Sequence, residues 1–115
     1  MAYRAAHQFA RISPRKAGLV MDMIRGMPLE EALKVLDFST KRAAKLVAKV
    51  LRSAMANADE QEADLERLFV SDARADMGPV LKRVWPRSRG SADALRRPTC
   101  HLVVALEESR EKSSA

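Results

Sequence analysis

Cysteine, aromatic residues and long apolar runs are all scarce in this chain of 115 residues. The one cysteine, Cys100, excludes an intramolecular disulfide and cannot alone supply the ligands of a structural zinc site, which favours a reducing compartment. No apolar run approaches the roughly 20 residues that span a bilayer, and the N-terminus lacks an apolar signal core. We therefore expect a cytoplasmic protein that has no membrane partner.

Catalytic motifs are missing as well. The sequence has no Walker-type glycine loop, no dinucleotide fingerprint and no spaced set of metal ligands. Its only adjacent nucleophile and base are Cys100 and His101, and neighbouring residues of a strand point to opposite faces, so they cannot readily act together. We expect no enzymatic activity, no metal and no cofactor.

The core must be aliphatic, because hydrophobic residues make up 47% of the chain and aromatic residues only 4%. A core of Ala, Leu, Val, Ile and Met favours helix packing over a β-sandwich. The length fits one small domain. We assign it to residues 1–108 and expect residues 109–115 to be a disordered tail.

Basic charge is present in excess and is concentrated. The formal net charge is +6. Residues 1–26 carry five basic and one acidic side chain, residues 79–98 carry six and one, and the other 69 residues carry 10 and 13. The two basic segments therefore hold +9 and the remainder −3. A polyanion is the expected partner of these two segments.

The first half of the chain predicts three helices. Residues 2–12 suggest an extended arm or a short edge strand, after which Ser13 is a good N-cap and Pro14 a good first helical residue. That helix should end at Gly26. Pro28 should open a second helix whose packing Phe38 completes, and Ser39 should cap a third. The predicted apolar stripes are Ala17, Val20, Met21 and Ile24; Leu29, Ala32, Leu33 and Leu36; and Ala43, Leu46, Val47, Val50, Leu51, Ala54, Met55 and Ala58.

The other face of the third helix is basic. It carries Lys41, Arg42, Lys45, Lys49 and Arg52. This face is either an RNA surface or an ordinary solvated helix face.

The second half of the chain predicts strands. After an acidic connection at residues 59–64, the apolar period falls to about two, with Phe69, Ala73, Ala75 and Met77 on one face of a strand and Cys100, Leu102, Val104 and Leu106 on one face of another. Between them lies the basic segment at residues 79–98. Structureless loops of that length are uncommon, so we predict a protruding hairpin that turns at Gly90 and reaches roughly 40 Å.

The strongest local motif is the run KRVWPRSRG at residues 82–90. Arginine pairs bidentately with phosphate, and Trp85 can stack on an unpaired base. A flexible basic loop without a partner would leave Trp85 exposed. RNA fits better than duplex DNA, because no helix carries the densest charge into a major groove. A second cluster comprises Arg11, Arg15, Lys16 and Arg25. These residues either bind an anion at the start of the first helix or are only solvated residues that flank it.

Four stretches in order resemble one family. ARISPRKAGLVMDMIRGMPLEEAL, TKRAAKLVAKVLRSAMANA, GPVLKRVWPRSRG and TCHLVV are similar to the bacterial-type large-subunit ribosomal protein number twenty-two family, over roughly residues 3–106. The resemblance implies an α+β fold, with three helices packed on a small antiparallel sheet and a long protruding β-hairpin. It further implies a structural protein that binds large-subunit ribosomal RNA, aids subunit assembly and lines the nascent-polypeptide exit tunnel.

The basic motifs and the resemblance together give the candidate site residues. For RNA binding these are Arg11, Ser13, Arg15, Lys16, Lys82, Arg83, Trp85, Arg87, Arg89, Arg96, Arg97 and His101. For the tunnel-facing tip they are Arg87, Ser88, Arg89, Gly90, Ser91 and Ala92. Ser91 and Ala94 stand where the family is often basic, so the tip is less charged than usual.

The expected partners are large-subunit ribosomal RNA, neighbouring ribosomal proteins and the nascent polypeptide, with no homo-oligomer. Two other classes of protein compete with this hypothesis. One is a free regulatory module that binds a transcript or a duplex. The other is a protein-interaction domain whose basic arm docks an acidic partner.

Overall fold

A three-stranded sheet and three helices form the body of the protein, and a two-stranded ribbon extends from it. The computed structural model describes residues 2–108, apart from the side chains of Arg83, Asp93 and Ala94; the predicted tail at 109–115 lies outside this range. The predicted α+β class is confirmed. The elements are β1 (Ala2–Ala10), α1 (Pro14–Ile24), α2 (Leu29–Phe38), α3 (Arg42–Glu60), β2 (Leu68–Met77), β3 (Leu81–Pro86), β4 (Ala92–Arg97) and β5 (Cys100–Glu108), with 3-10 turns at Leu65–Arg67 and Ser88–Gly90.

Local capping determines where α1 begins and ends. The Ser13 hydroxyl accepts a hydrogen bond from the backbone N–H of Lys16 at 3.3 Å, and Pro14 is the first helical residue, as predicted. Gly26 follows the helix with a φ of 85°, a conformation that glycine adopts without steric cost. The predicted apolar stripe is entirely buried.

The junction of α2 and α3 differs from the prediction at two residues. Phe38 is 87% exposed, because it follows the buried Leu36 by two residues and therefore lies about 200° around the helix from it. Ser39 does not cap α3. Its N–H donates to the carbonyl of Leu36, so it closes α2 instead, and α3 begins only after Lys41.

The body sheet is antiparallel, with strand order β1-β5-β2. The inward side chains of β5 alternate as predicted, and Cys100, Leu102, Val104 and Leu106 are all buried in the core. Most of the predicted helix stripes are buried with them, while Leu33, Leu46 and Met55 are partly buried against the core. β1 is an edge strand, which is the second of the two predicted alternatives. The core therefore lies between the three helices and one face of this sheet.

The predicted facing of β2 is wrong before residue 71 and holds after it. A register shift between Val70 and Asp72 marks a β-bulge. Before the bulge Leu68 and Val70 are buried, not Phe69, because the extra residue reverses the alternation. At the far end Met77 lies on the predicted face, opposite Cys100, but its side chain is 79% exposed.

Two hydrogen bonds close the junction between the ribbon and the body, and we call this pair of bonds the latch. The N–H of Gly78 donates to the carbonyl of Thr99 at 2.9 Å, and the Thr99 hydroxyl donates to the carbonyl of Pro79. Thr99 is buried, although it is polar. These bonds connect the end of β2 to the start of β5, where the chain leaves for the ribbon and returns.

Candidate nucleic-acid interface

The ribbon pairs β3 with β4 and places cations opposite one another. Lys82 lies directly across from Arg96 in the antiparallel register. Like charges at such positions destabilise a ribbon in water. Val84 and Trp85 are 76% and 55% exposed, so apolar packing does not offset the repulsion. An anionic partner would remove the repulsion and cover the apolar side chains.

The tip of the ribbon is a tight polar turn. The N–H of Arg87 donates to the carbonyl of Ser91 at 2.7 Å, and the Ser91 hydroxyl donates to the carbonyl of Ser88. Arg89 and Gly90 both have positive φ, at 64° and 74°. The predicted turn at Gly90 is therefore confirmed, and the six predicted tip residues are exposed together at the end of the ribbon.

A basic cleft lies where the ribbon meets the body. It comprises two adjoining cavities of about 470 and 290 Å³ that share Arg11 and Arg42. Its lining comes from the β1–α1 connection, the first turns of α1 and α3, and the base of the ribbon. We call this feature the basic cleft and define it by its five cations, Arg11, Lys16, Lys41, Arg42 and Arg97.

The electrostatics of the basic cleft favour an anion. Among the residues that the structure describes, no carboxylate lines the cleft. The N-terminal ends of α1 and α3 both border it, and no side chain caps α3 within the described part of the chain. Helix N-termini present unpaired N–H groups and the positive end of the dipole. Five positively charged side chains and two helix N-termini therefore all attract an anion into the same cleft.

The ion pairs that the structure describes lie elsewhere. Asp22 pairs with Arg25 at 2.8 Å and Asp37 with Arg52 at 3.0 Å, while Arg74 bridges two carboxylates of β2. Arg25 also donates to the carbonyl of Ala73. Arg25 thus ties α1 to the sheet and is separated from the other basic residues of the second predicted cluster.

The structure brings together four of the predicted RNA-binding residues: Arg11, Ser13, Lys16 and Arg97 all line the basic cleft. Arg15 is exposed nearby without lining it. Lys82, Trp85, Arg87, Arg89 and Arg96 are exposed along the ribbon, where Arg83 is placed by its backbone alone.

Sequence reasoning missed Lys41 and Arg42 as cleft residues. The sequence places both on a basic helix face that is either an RNA surface or an ordinary solvated face. Their position at the start of α3 is close to the predicted one, but the sequence does not indicate which elements pack beside that helix end. Only the packing of α3 against α1 brings them beside Arg11.

Cys100 and His101 take separate roles. The Cys100 side chain is fully buried, and this burial raises the pKa of its thiol. His101 is half-buried on the other face of β5, and its Nδ1 accepts a hydrogen bond from the N–H of Phe9 at 3.1 Å. The two side chains therefore do not meet, as the strand geometry predicted.

Among residues 2–108, no group of three His, Cys, Asp or Glu side chains is arranged to hold a metal ion. Within the same range no helix has both the length and the apolar character needed to cross a membrane.

An α+β body with a basic cleft and a basic ribbon is the architecture of a nucleic-acid-binding protein. The family model described as ribosomal protein L22p/L17e matches residues 5–107. The chain therefore belongs to this family of ribosomal proteins. The expectations of a structural, non-enzymatic protein and of a place on the ribosome in the cytoplasm are thereby confirmed.

Individual relatives agree over almost their whole length. The chain is 50% identical over 109 residues to the large ribosomal subunit protein uL22 of Geobacter metallireducens, covering 94% of this chain and 99% of the relative. It is 46% identical over 111 residues to the protein of that name from Fusobacterium nucleatum, covering 96% and 100%. The protein of that name from Syntrophotalea carbinolica is 46% identical over 109 residues, covering 94% and 99%.

Proposed function

We propose that this chain is a structural constituent of the large ribosomal subunit. Its body binds ribosomal RNA through the basic cleft, and its ribbon threads into the RNA and lines the nascent-polypeptide exit tunnel with the tip at residues 87–92. Family membership supports the ribosomal assignment. The single observation that carries the RNA-binding role is the basic cleft, where five cations and two helix N-termini meet without a carboxylate.

Phosphate is the ligand that this chemistry suits. Arginine fork geometry matches phosphate oxygens, and free N–H groups at helix ends bind them as well. The cleft lies at the base of the ribbon, so an RNA strand held there continues naturally along the paired cations Lys82 and Arg96. Binding along both surfaces would neutralise RNA charge during assembly and fix the ribbon's direction. Neighbouring ribosomal proteins would cover other parts of the body.

Salt dependence tests the cleft. Affinity for deproteinised large-subunit ribosomal RNA would be measured by filter binding at several salt concentrations. The double variant Lys41→Ala/Arg42→Ala should weaken binding and make the slope of log affinity against log salt shallower by about 1.4 to 1.8, the share of two phosphate contacts.

The matched control is Lys45→Ala/Lys49→Ala. It removes the same charge from exposed positions of the same helix that lie outside the cleft. Its slope should change much less. Equal slopes for the two double variants would contradict the cleft assignment. Preference for a non-ribosomal transcript would favour a free regulatory module, and binding to an acidic protein that survives nuclease would favour a protein-interaction domain.

A further inference from the structure

Phe9 combines an unfavourable backbone with an exposed ring. Its φ is 59°, which is rare for a bulky residue, and its side chain is 59% exposed. The β1–β5 ladder is regular up to His7 and resumes at Ala10, so Phe9 lies in an irregular step of the strand. Strain of this kind persists where surrounding contacts impose it, and it concentrates at functional positions.

His101 imposes that conformation. Its Nδ1 accepts the N–H of Phe9 at 3.1 Å, and the two rings meet edge to face with centroids 5.0 Å apart. One contact fixes the backbone and the other fixes the ring. The Phe9 side chain is therefore held in place while much of its surface stays in water.

The residues around Phe9 indicate the chemical nature of the partner that its ring would meet. Arg11, two residues along the chain, lines the basic cleft, as does Thr99, two residues before His101. The carboxylate nearest in the register, Asp76 opposite His101, is already bound by Arg74 at 3.1 Å. A nucleotide whose phosphate lies in the cleft carries a base, and an exposed, oriented aromatic ring is a stacking surface for such a base.

We propose that Phe9 stacks on an unpaired base of ribosomal RNA and that His101 is its positioning residue. The proposal rests on the proposed function, because it requires RNA in the basic cleft. It gives the body a contact that recognises an unstacked base, in addition to contacts that recognise charge. Because every base has a flat face that can stack, this contact does not depend on base identity. It selects RNA in which a base is unpaired and unstacked at this place.

Two ligands separate stacking from charge: deproteinised large-subunit ribosomal RNA, and inorganic polyphosphate, which has no bases. Phe9→Ala should lower RNA affinity roughly 5- to 150-fold, the range that loss of one stacked base implies, and leave polyphosphate affinity unchanged. Phe38→Ala, which removes another exposed Phe ring, is the matched control and should change neither affinity. Circular dichroism would verify that each variant is folded.

His101→Ala should lower RNA affinity in the same direction, and the Phe9→Ala/His101→Ala pair should bind no more weakly than Phe9→Ala alone. Equal losses for RNA and polyphosphate would mean that Phe9 only shapes the cleft, and unchanged RNA affinity would mean that no base stacks there. Either result overturns the proposal. Failure of the proposed function is separate: it would appear as wild-type RNA affinity and salt slope in Lys41→Ala/Arg42→Ala.

Discussion

Gly78→Ala should destabilise the junction between body and ribbon. A Cβ at this position would lie 2.7 Å from Oγ1 of Thr99 and 3.2 and 3.3 Å from its backbone oxygen and carbon. The hydroxyl cannot turn away without losing its bond to the carbonyl of Pro79, and the backbone oxygen accepts the N–H of Gly78. The clash is therefore relieved only by opening the latch.

The magnitude follows from two opposing effects. Overpacking of this kind costs about 1 to 3 kcal/mol. Replacing glycine also restricts the unfolded chain, which returns about 0.4 to 1 kcal/mol. The net loss should be on the order of 1 to 2 kcal/mol. For a protein near this size each kcal/mol lowers the midpoint of thermal unfolding by about 4 to 8 °C.

Thermal unfolding followed by far-ultraviolet circular dichroism measures the effect. Gly18→Ala is the matched control, because Gly18 lies inside α1 and a Cβ there meets nothing within 4 Å. It should stabilise the protein by about 0.5 to 1 kcal/mol. Adding Thr99→Ala to Gly78→Ala should cost less than the sum of the two single losses, since it removes the nearest clashing atom. If Gly78→Ala were as stable as the wild type, the latch would not constrain the junction.

Three further predictions test the core, the thiol and the ribbon. Met21→Ala should cost about 2 to 5 kcal/mol in denaturant unfolding, whereas Phe38→Ala should stay within about 0.5; comparable losses would contradict the exposure of Phe38. Cys100 should resist alkylation by iodoacetamide until denaturant unfolds the chain. Rapid labelling of the native protein would refute the burial. Because burial raises the pKa of Cys100 in the folded state, the thiol's contribution to stability is complete below the ordinary thiol pKa and declines as pH rises from there through the folded-state pKa. Cys100→Ala should abolish this component of the pH dependence of stability. Arg87→Ala/Arg89→Ala should flatten the salt dependence of RNA binding by about two phosphate contacts, and an unchanged slope would remove the tip from the interface.

Sequence reasoning succeeded where the determining interactions are local. Ser13 and Pro14 specify the start of α1 through one side-chain hydrogen bond and one fixed φ, and both act within three residues. The alternation of inward and outward side chains in β5 could be predicted because every inward position is apolar. The ribbon was inferred from proline, glycine and charge together, and the family resemblance agreed with that inference.

Prediction failed where neighbouring elements decide the outcome. The sequence predicts Ser39 as the N-cap of α3, because the bond from its N–H to the carbonyl of Leu36, which closes α2, leaves no trace in the sequence. Phe69 was assigned inward because the bulge beyond Val70 is invisible to a period of two. The basic cleft was predicted incompletely for the same reason. Lys41 and Arg42 join Arg11 only through helix packing, so charge counting along the chain could not single them out.

As a structural constituent of the large ribosomal subunit, this chain should be a stoichiometric part of that particle. Sedimentation of a tagged copy through a sucrose gradient after a high-salt wash tests it most directly. The tag should travel with the large subunit at about one copy per particle. Recovery only at the top of the gradient would contradict it and favour a free RNA-binding module.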